Sequence, residues 1–275
     1  MISLIPISDA NPTKKFPVLT VAIIAINILV FLFVEPGFGG SKDATFYFYQ
    51  HAPVPCQLDH SCPVALFQET GGDAAPSLGQ FLMLIINSSF FHAGFLHIAG
   101  NMLFLWVFGN NIEDYLGKFK FILFYVLGAI ASGMAHIAFT LLSPTLAVGQ
   151  IAACLNATAD ACNGIGRYVP SVGASGAVAA VMGAYIVLYP RARVNVLVPI
   201  FIIFTVIQMS AFVVLGLWFL YQFLIGAPDL AGVGGNTAIA WMAHVGGFVF
   251  GAIAIFLLGG RPHQPEPLWV REYRP

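Results

Sequence analysis

Long apolar stretches alternate along this chain with short clusters of charge, glycine and proline. Phe16–Val34 is apolar apart from Thr20 and Asn27, and it has about the 20 residues a transmembrane helix needs. Glu35–Pro76 breaks the pattern with acids, glycines and prolines. Gly79–Phe91 is apolar again but short, which predicts a re-entrant or interfacial piece. A second helix is expected over Ala93–Ile112, a third over Phe121–Leu142 and a fourth over Ser171–Tyr189, which stops at Pro190-Arg191-Ala192-Arg193. Val194–Leu224 is longer than one bilayer crossing at 1.5 Å per residue. It reads as an interfacial or tilted lead-in to a fifth helix that is clearest over Ala211–Leu224. A sixth helix follows over Thr237–Leu258.

Composition agrees with that reading. The chain is 59% hydrophobic and 8% charged, and its mean hydropathy is +0.85. A soluble domain carries about 25% charged residues, so this one lacks the polar surface to stay dissolved. The expected class is an all-α polytopic membrane protein of six spans, in contact with the lipid bilayer. No basic tract or nucleic-acid motif is present, so no nucleic-acid partner is expected. The first apolar run is too long for a signal-peptide core and lacks a small-x-small cleavage site, so it is expected to remain as a span.

Charge sets the expected topology. With six spans both termini share one side, together with Lys14, Lys15, Lys118, Lys120, Arg191, Arg193, Arg261, Arg271 and Arg274. Only Lys42 and Arg167 of the eleven basic residues fall opposite. The positive-inside rule then makes both termini cytoplasmic. Three regions are expected: a cytoplasmic segment 1–15, the six-span domain 16–258 and a cytoplasmic tail 259–275. Cys56, Cys62, Cys154 and Cys162 all lie in the two long outer loops. That arrangement suits an oxidising compartment and the pairs 56–62 and 154–162. Free thiols, or a metal held by Cys56 and Cys62 beside His51 and His60, are the alternatives. Asn156-Ala-Thr158 matches a glycosylation sequon.

Ionisable and polar groups inside a bilayer are costly and mark function. Ser175, His97, Asn101 and His244 lie on three helices that run in the same direction. From their positions in those helices, all four sit roughly 6–12 Å below the same boundary. His97 and Asn101 are one turn apart and share a face. The face of His244 continues through Gly247 and Gly251, and that of Ser175 through Ala179, Met182 and Gly183. Small residues on both faces permit close helix approach. A serine hydroxyl needs a base to take its proton, and His244 is the candidate. Asn101, His97 and the Ser175 N–H are candidate donors to an oxyanion. No carboxylate lies at that depth, since Glu113 and Asp114 are roughly 18 Å deeper than Asn101. This predicts a Ser–His dyad with the imidazole oriented by packing. Glu113 is read as structural, satisfying loop backbone beside Gly117. His136 belongs to no motif and is also read as structural.

These residues carry a family resemblance. Gly173-Ala-Ser175-Gly176 opening a span resembles the G-x-S-G of the rhomboid intramembrane serine proteases. His92-Ala-Gly-Phe-Leu-His97-Ile-Ala-Gly-Asn101 is similar to the family's H-x-x-x-x-H-x-x-x-N. Gly109…Glu113…Gly117 and Ala243-His244-Val-Gly-Gly247-Phe-Val-Phe-Gly251 also resemble it, and the likeness runs from Phe16 to about Leu258. The resemblance implies Ser175 as nucleophile, His244 as base, and His97, Asn101 and the Ser175 N–H as oxyanion stabilisers; His92 and Gly173 are candidate auxiliaries beside them. It implies hydrolysis of a peptide bond in or near the transmembrane helix of membrane-protein substrates, without metal or cofactor. It places water access on the outer side, with the fifth helix and the 225–241 loop as gate and cap. Some members carry an aromatic ring one turn after the nucleophile, stacked on the base. Here that position is Ala179, so Met182 or Trp241 is expected to orient His244.

The site is expected to open to the extracytoplasmic side of a bacterial inner membrane. Two rivals stand beside the protease reading. One is a catalytically silent rhomboid-like binder of membrane proteins, against which the intact Ser175 and His244 argue. The other is a small transporter, against which the absence of midplane charges and internal repeats argues.

Overall fold

The computed structural model describes residues 5–39, 42–142, 166–200, 203–230 and 240–262. Cys154, Cys162, the 156–158 sequon and the C-terminal arginines 271 and 274 lie outside them. In chain order the elements are β1 (Ile5–Asp9), α1 (Val18–Phe33), α2 (Lys42–His51), α3 (Val64–Thr70) and α4 (Leu78–Ser88). There follow α5 (Phe95–Leu116), α6 (Lys118–Leu142), α7 (Ser175–Leu188), β2 (Arg193–Ile200), β3 (Ile203–Ser210), α8 (Ala211–Leu230) and α9 (Trp241–Leu257).

The helix bundle is built around α7. Alanine, glycine and valine dominate its sequence, and every residue from Gly176 to Tyr185 is buried. α5, α6, α8 and α9 pack against it, with α9 the most extensive neighbour. The outer faces of α1, α8 and α9 are apolar and exposed, as at Phe33, Phe212, Leu224, Ile253 and Phe256. Such a belt suits lipid rather than water. One described helix, Lys118–Leu142, is long and apolar enough by length and composition to cross a membrane; α1, α7 and α9 are apolar but shorter. The chain is thus mostly helical and fits a membrane protein.

The lead-in before α8 is β-structure. It holds the two paired strands β2 and β3, and β1 adds to them to give an antiparallel sheet in the order β1-β2-β3. Arg193 faces Ser210, and Ile200 faces Ile203. Ile5 faces Leu197, with a register shift between Pro6 and Ser8. The physical reason is alternation: Val194, Val196 and Val198 turn inward and are buried, while the residues between them do not. β-branched side chains at period two favour a strand over a helix.

The 35–76 segment also departs from a plain loop, since it folds into α2 and α3 around a small core of Tyr49, Val54, Leu66 and Phe67. A disulfide joins Cys56 to Cys62, which removes these two thiols from any metal site. Arg167 pairs with Asp59. The Tyr49 hydroxyl donates to the Tyr168 carbonyl at 2.8 Å. The 35–76 segment is thereby tied to the approach to Ser175.

Glu113 is structural, but it acts at long range. Its carboxylate accepts the Leu19 N–H at 2.9 Å, the Thr20 N–H at 2.7 Å and the Thr20 hydroxyl at 2.8 Å. The two N–H groups are orphan donors at the N-terminus of α1, where a negative charge is favoured.

Candidate active site

Ser175 is the first residue of α7, and His244 lies one turn into α9. Their side chains meet with Ser175 Oγ 2.8 Å from His244 Nε2. The other imidazole nitrogen, Nδ1, is 2.8 Å from Oε1 of Gln222 on α8. The Gln222 side chain is oriented by its own amide, whose Nε2 donates to the Trp218 carbonyl at 3.3 Å. Oε1 can only accept, so Nδ1 carries the imidazole proton. Nε2 is then left as the acceptor for the serine hydroxyl. The ring of Trp218 lies 5.7 Å from that of His244.

Gln222 and Trp218 thus hold the imidazole, in place of the Met182 or Trp241 expected from sequence. Ala179 is fully buried and carries no ring that could stack on the imidazole. Trp241 packs instead on Phe139 and Phe223. The segment expected as a 225–241 loop is helical through Leu230.

Around Ser175 the backbone is arranged for close contact. Gly173 has φ +128°, a conformation L side chains rarely adopt. A Cβ there would sit 2.7 Å from His97 Cε1 and 2.8 Å from His97 Nε2, while Ser175 Oγ lies 3.6 Å from the same point. Only glycine lets the His97 ring and Ser175 share this corner. The Gly173 N–H donates to the Ser88 carbonyl at 2.9 Å, which fixes the loop on the end of α4.

The Ala93 N–H donates to His97 Nδ1 at 3.3 Å. A neutral His97 therefore carries its proton on Nε2, the nitrogen that faces Gly173. Asn101, one turn further along α5, is buried, and its Nδ2 has no hydrogen-bond partner among the described residues. A buried donor without an acceptor is costly to maintain and marks a place where one arrives.

His92 stands behind this pair. Its ring is fully buried and lies 5.1 Å from that of His97. Burial pushes its pKa down to about 3, so it packs against His97 as a neutral ring. Its backbone N–H donates to both carboxylate oxygens of Glu35, at 3.0 and 3.2 Å. Burial raises the Glu35 carboxyl to about 7. His136 accepts the Thr140 hydroxyl at its carbonyl, a contact within α6.

The Ser175–His244 contact depends on how closely α7 and α9 approach. A Cβ at Gly251 would come within 2.6 Å of the Ala180 carbonyl carbon, and one at Gly247 within 3.1 Å of that of Gly176. Across the interface, a Cβ at Gly183 would lie 2.8 Å from the Phe248 carbonyl carbon. Backbone meets backbone along this line, as the small residues predict.

Residues 79–261 match the Rhomboid domain model. The chain belongs to the rhomboid family. Its curated relatives include "Rhomboid protein 1, mitochondrial" of Saccharomyces cerevisiae, 36% identical over 110 residues that cover 40% of this chain and 26% of that protein. "RHOMBOID-like protein 12, mitochondrial" of Arabidopsis thaliana is 30% identical over 174 residues, covering 63% and 45%. "Presenilin-associated rhomboid-like protein, mitochondrial" of Homo sapiens is 28% identical over 170 residues, covering 60% and 35%. The match thus spans less than half the length of each relative. These relatives overturn the expected bacterial inner membrane, because the rhomboid proteins matched are mitochondrial by name.

Gln222 is the site residue that sequence reasoning passed over. Its signal was present: an uncharged polar side chain in an apolar helix, one turn from Trp218.

Proposed function

We propose that this rhomboid protein is an intramembrane serine endopeptidase that hydrolyses a peptide bond in or near the transmembrane helix of membrane-protein substrates. In this reading α1, α5, α6, α7, α8 and α9 are the six spans of one domain over residues 16–258, with both termini on one side. The mitochondrial names of the relatives favour a mitochondrial membrane. The Cys56–Cys62 bridge fits a site facing an oxidising compartment.

The observation that carries the reading is the 2.8 Å contact between Ser175 Oγ and His244 Nε2. Ser175 Oγ attacks the scissile carbonyl carbon as its proton passes to Nε2. The carbonyl oxygen becomes an oxyanion, and Asn101 Nδ2, His97 Nε2–H and the Ser175 N–H are its donors. Collapse breaks the C–N bond, and the imidazolium gives its proton to the leaving amine. Water then attacks the acyl-serine, its proton goes to Nε2, and the carboxylic product departs as the proton returns to Ser175 Oγ. No metal or cofactor enters this sequence.

The test is labelling of the purified chain in detergent micelles by a fluorophosphonate, which phosphonylates activated serines. The wild type is expected to label and Ser175→Ala not to. Labelling that survives the substitution removes Ser175 from the mechanism.

A further inference from the structure

We infer that Gln222 is a positioning residue for the base, fixing the tautomer and orientation of His244 from a third helix. The inference rests on the protease reading and adds to it a part that the Ser–His pair alone does not supply. A histidine base must present a lone pair at Nε2, which in the neutral ring requires the proton at Nδ1. Buried in the bundle, that proton needs an acceptor. Gln222 Oε1 is that acceptor at 2.8 Å, and Gln222 is itself 3% exposed.

The amide cannot turn its nitrogen to His244 without abandoning the Trp218 carbonyl. The two bonds therefore specify one orientation of the carboxamide and one tautomer of the imidazole. The same bond stabilises the imidazolium as it forms, because Oε1 continues to accept from Nδ1–H. A neutral amide supplies here the orienting function that an acid supplies in a Ser-His-Asp triad. It also bears on Ala179: that position offers no ring to the imidazole, which Gln222 holds from one edge. Trp218, one turn earlier on the same helix, lies against the ring.

Three proteins decide the matter: wild type, Gln222→Met and Gln222→Glu, each as the full chain in micelles. The readout is the second-order rate of fluorophosphonate labelling between pH 5 and 10, with melting temperature measured alongside. Gln222→Met keeps the volume but leaves Nδ1–H without an acceptor. Its labelling rate is expected to fall by about ten- to a hundredfold, at or below the low end of what a whole general base contributes, because His244 itself remains. Gln222→Glu restores an acceptor, and a carboxylate opposite Nδ1 favours the imidazolium. Its labelling is expected to recover at alkaline pH, with the acid limb of the profile moved up by about one pH unit.

If Gln222→Met only melts earlier and labels with the wild-type rate and profile, the residue is structural and the inference fails. A Gln222→Glu profile that superimposes on the wild type also overturns it. Wild-type labelling that persists in Ser175→Ala would instead overturn the protease reading beneath it. The two failures are therefore distinct.

Discussion

Adding a single methyl group at Gly251 tests whether catalysis depends on the closeness of α7 and α9. The new Cβ would stand 2.6 Å from the Ala180 carbonyl carbon. Non-bonded carbons settle at about 3.5 Å or more, and the Ala180 carbonyl oxygen stands closer still to the new Cβ, so the helices must part by at least about 0.9 Å at that level. If that displacement reaches the site, the Ser175–His244 separation grows from 2.8 Å to beyond hydrogen-bonding range. A misplacement of about 1 Å costs on the order of a hundredfold in rate. Overpacking of this kind also costs about 1–3 kcal/mol of stability. Gly251→Ala is therefore expected to label with fluorophosphonate about a hundred times more slowly than the wild type while still melting cooperatively in micelles. Gly216→Ala is the control, because a Cβ there meets nothing within 4 Å. Wild-type labelling by Gly251→Ala would refute the link between glycine packing and the dyad.

Two further substitutions probe the scaffold. Glu113→Ala strands the N–H groups of Leu19 and Thr20 and the Thr20 hydroxyl. Hydrogen bonds to a charged group contribute about 1.5–3 kcal/mol, so a clear drop in melting temperature is expected. An unchanged melt would show that α1 does not need this cap. Glu35 tests the pH dependence. Its folded-state pKa of about 7 lies above the ordinary 4.5, so the native chain holds this proton more tightly than the unfolded one. The stabilisation is fully present below about pH 4.5 and is lost as pH rises to 7, with a slope of up to about 1.4 kcal/mol per pH unit. Glu35→Gln should flatten the melting temperature across that window. Identical pH dependence in both proteins would rule the group out.

The helices and the candidate site were legible because both follow from local pattern. Apolar runs of bilayer length marked the helices, and rise per residue alone placed Ser175, His97, Asn101 and His244 at one depth. What escaped was pairing over long sequence distances. Residues 194–224 are apolar almost throughout, so hydropathy hid the period-two alternation of Val194, Val196 and Val198 that makes β2 a strand. The partner of β2 on one side is β1, nearly 190 residues earlier, and nothing local to either segment announces the pairing. Glu113 showed its charge and its place near the end of α5, yet its partners are on α1. Gln222 escaped because a neutral amide in an apolar helix shows neither the charge of a carboxylate nor the bulk of a ring. The mitochondrial relatives, finally, correct a localisation that charge asymmetry does not determine.

The junction between sheet and bundle bears on how α8 can move. Where α8 begins, the Ala211 N–H donates to the Ala192 carbonyl and the Phe212 N–H to that of Pro190, the residues just past the end of α7. The two helices are stapled together at this end, and β3 runs into α8 without an intervening loop. A rod fastened at one end swings about that end. Gln222 lies eleven residues from Ala211, about 16 Å along the axis at 1.5 Å per residue. A tilt of about 5° would carry its carboxamide some 1.4 Å, while the pivot stayed in place. The hinge thus sits at the sheet, and the imidazole feels small rotations of α8 with a long lever arm.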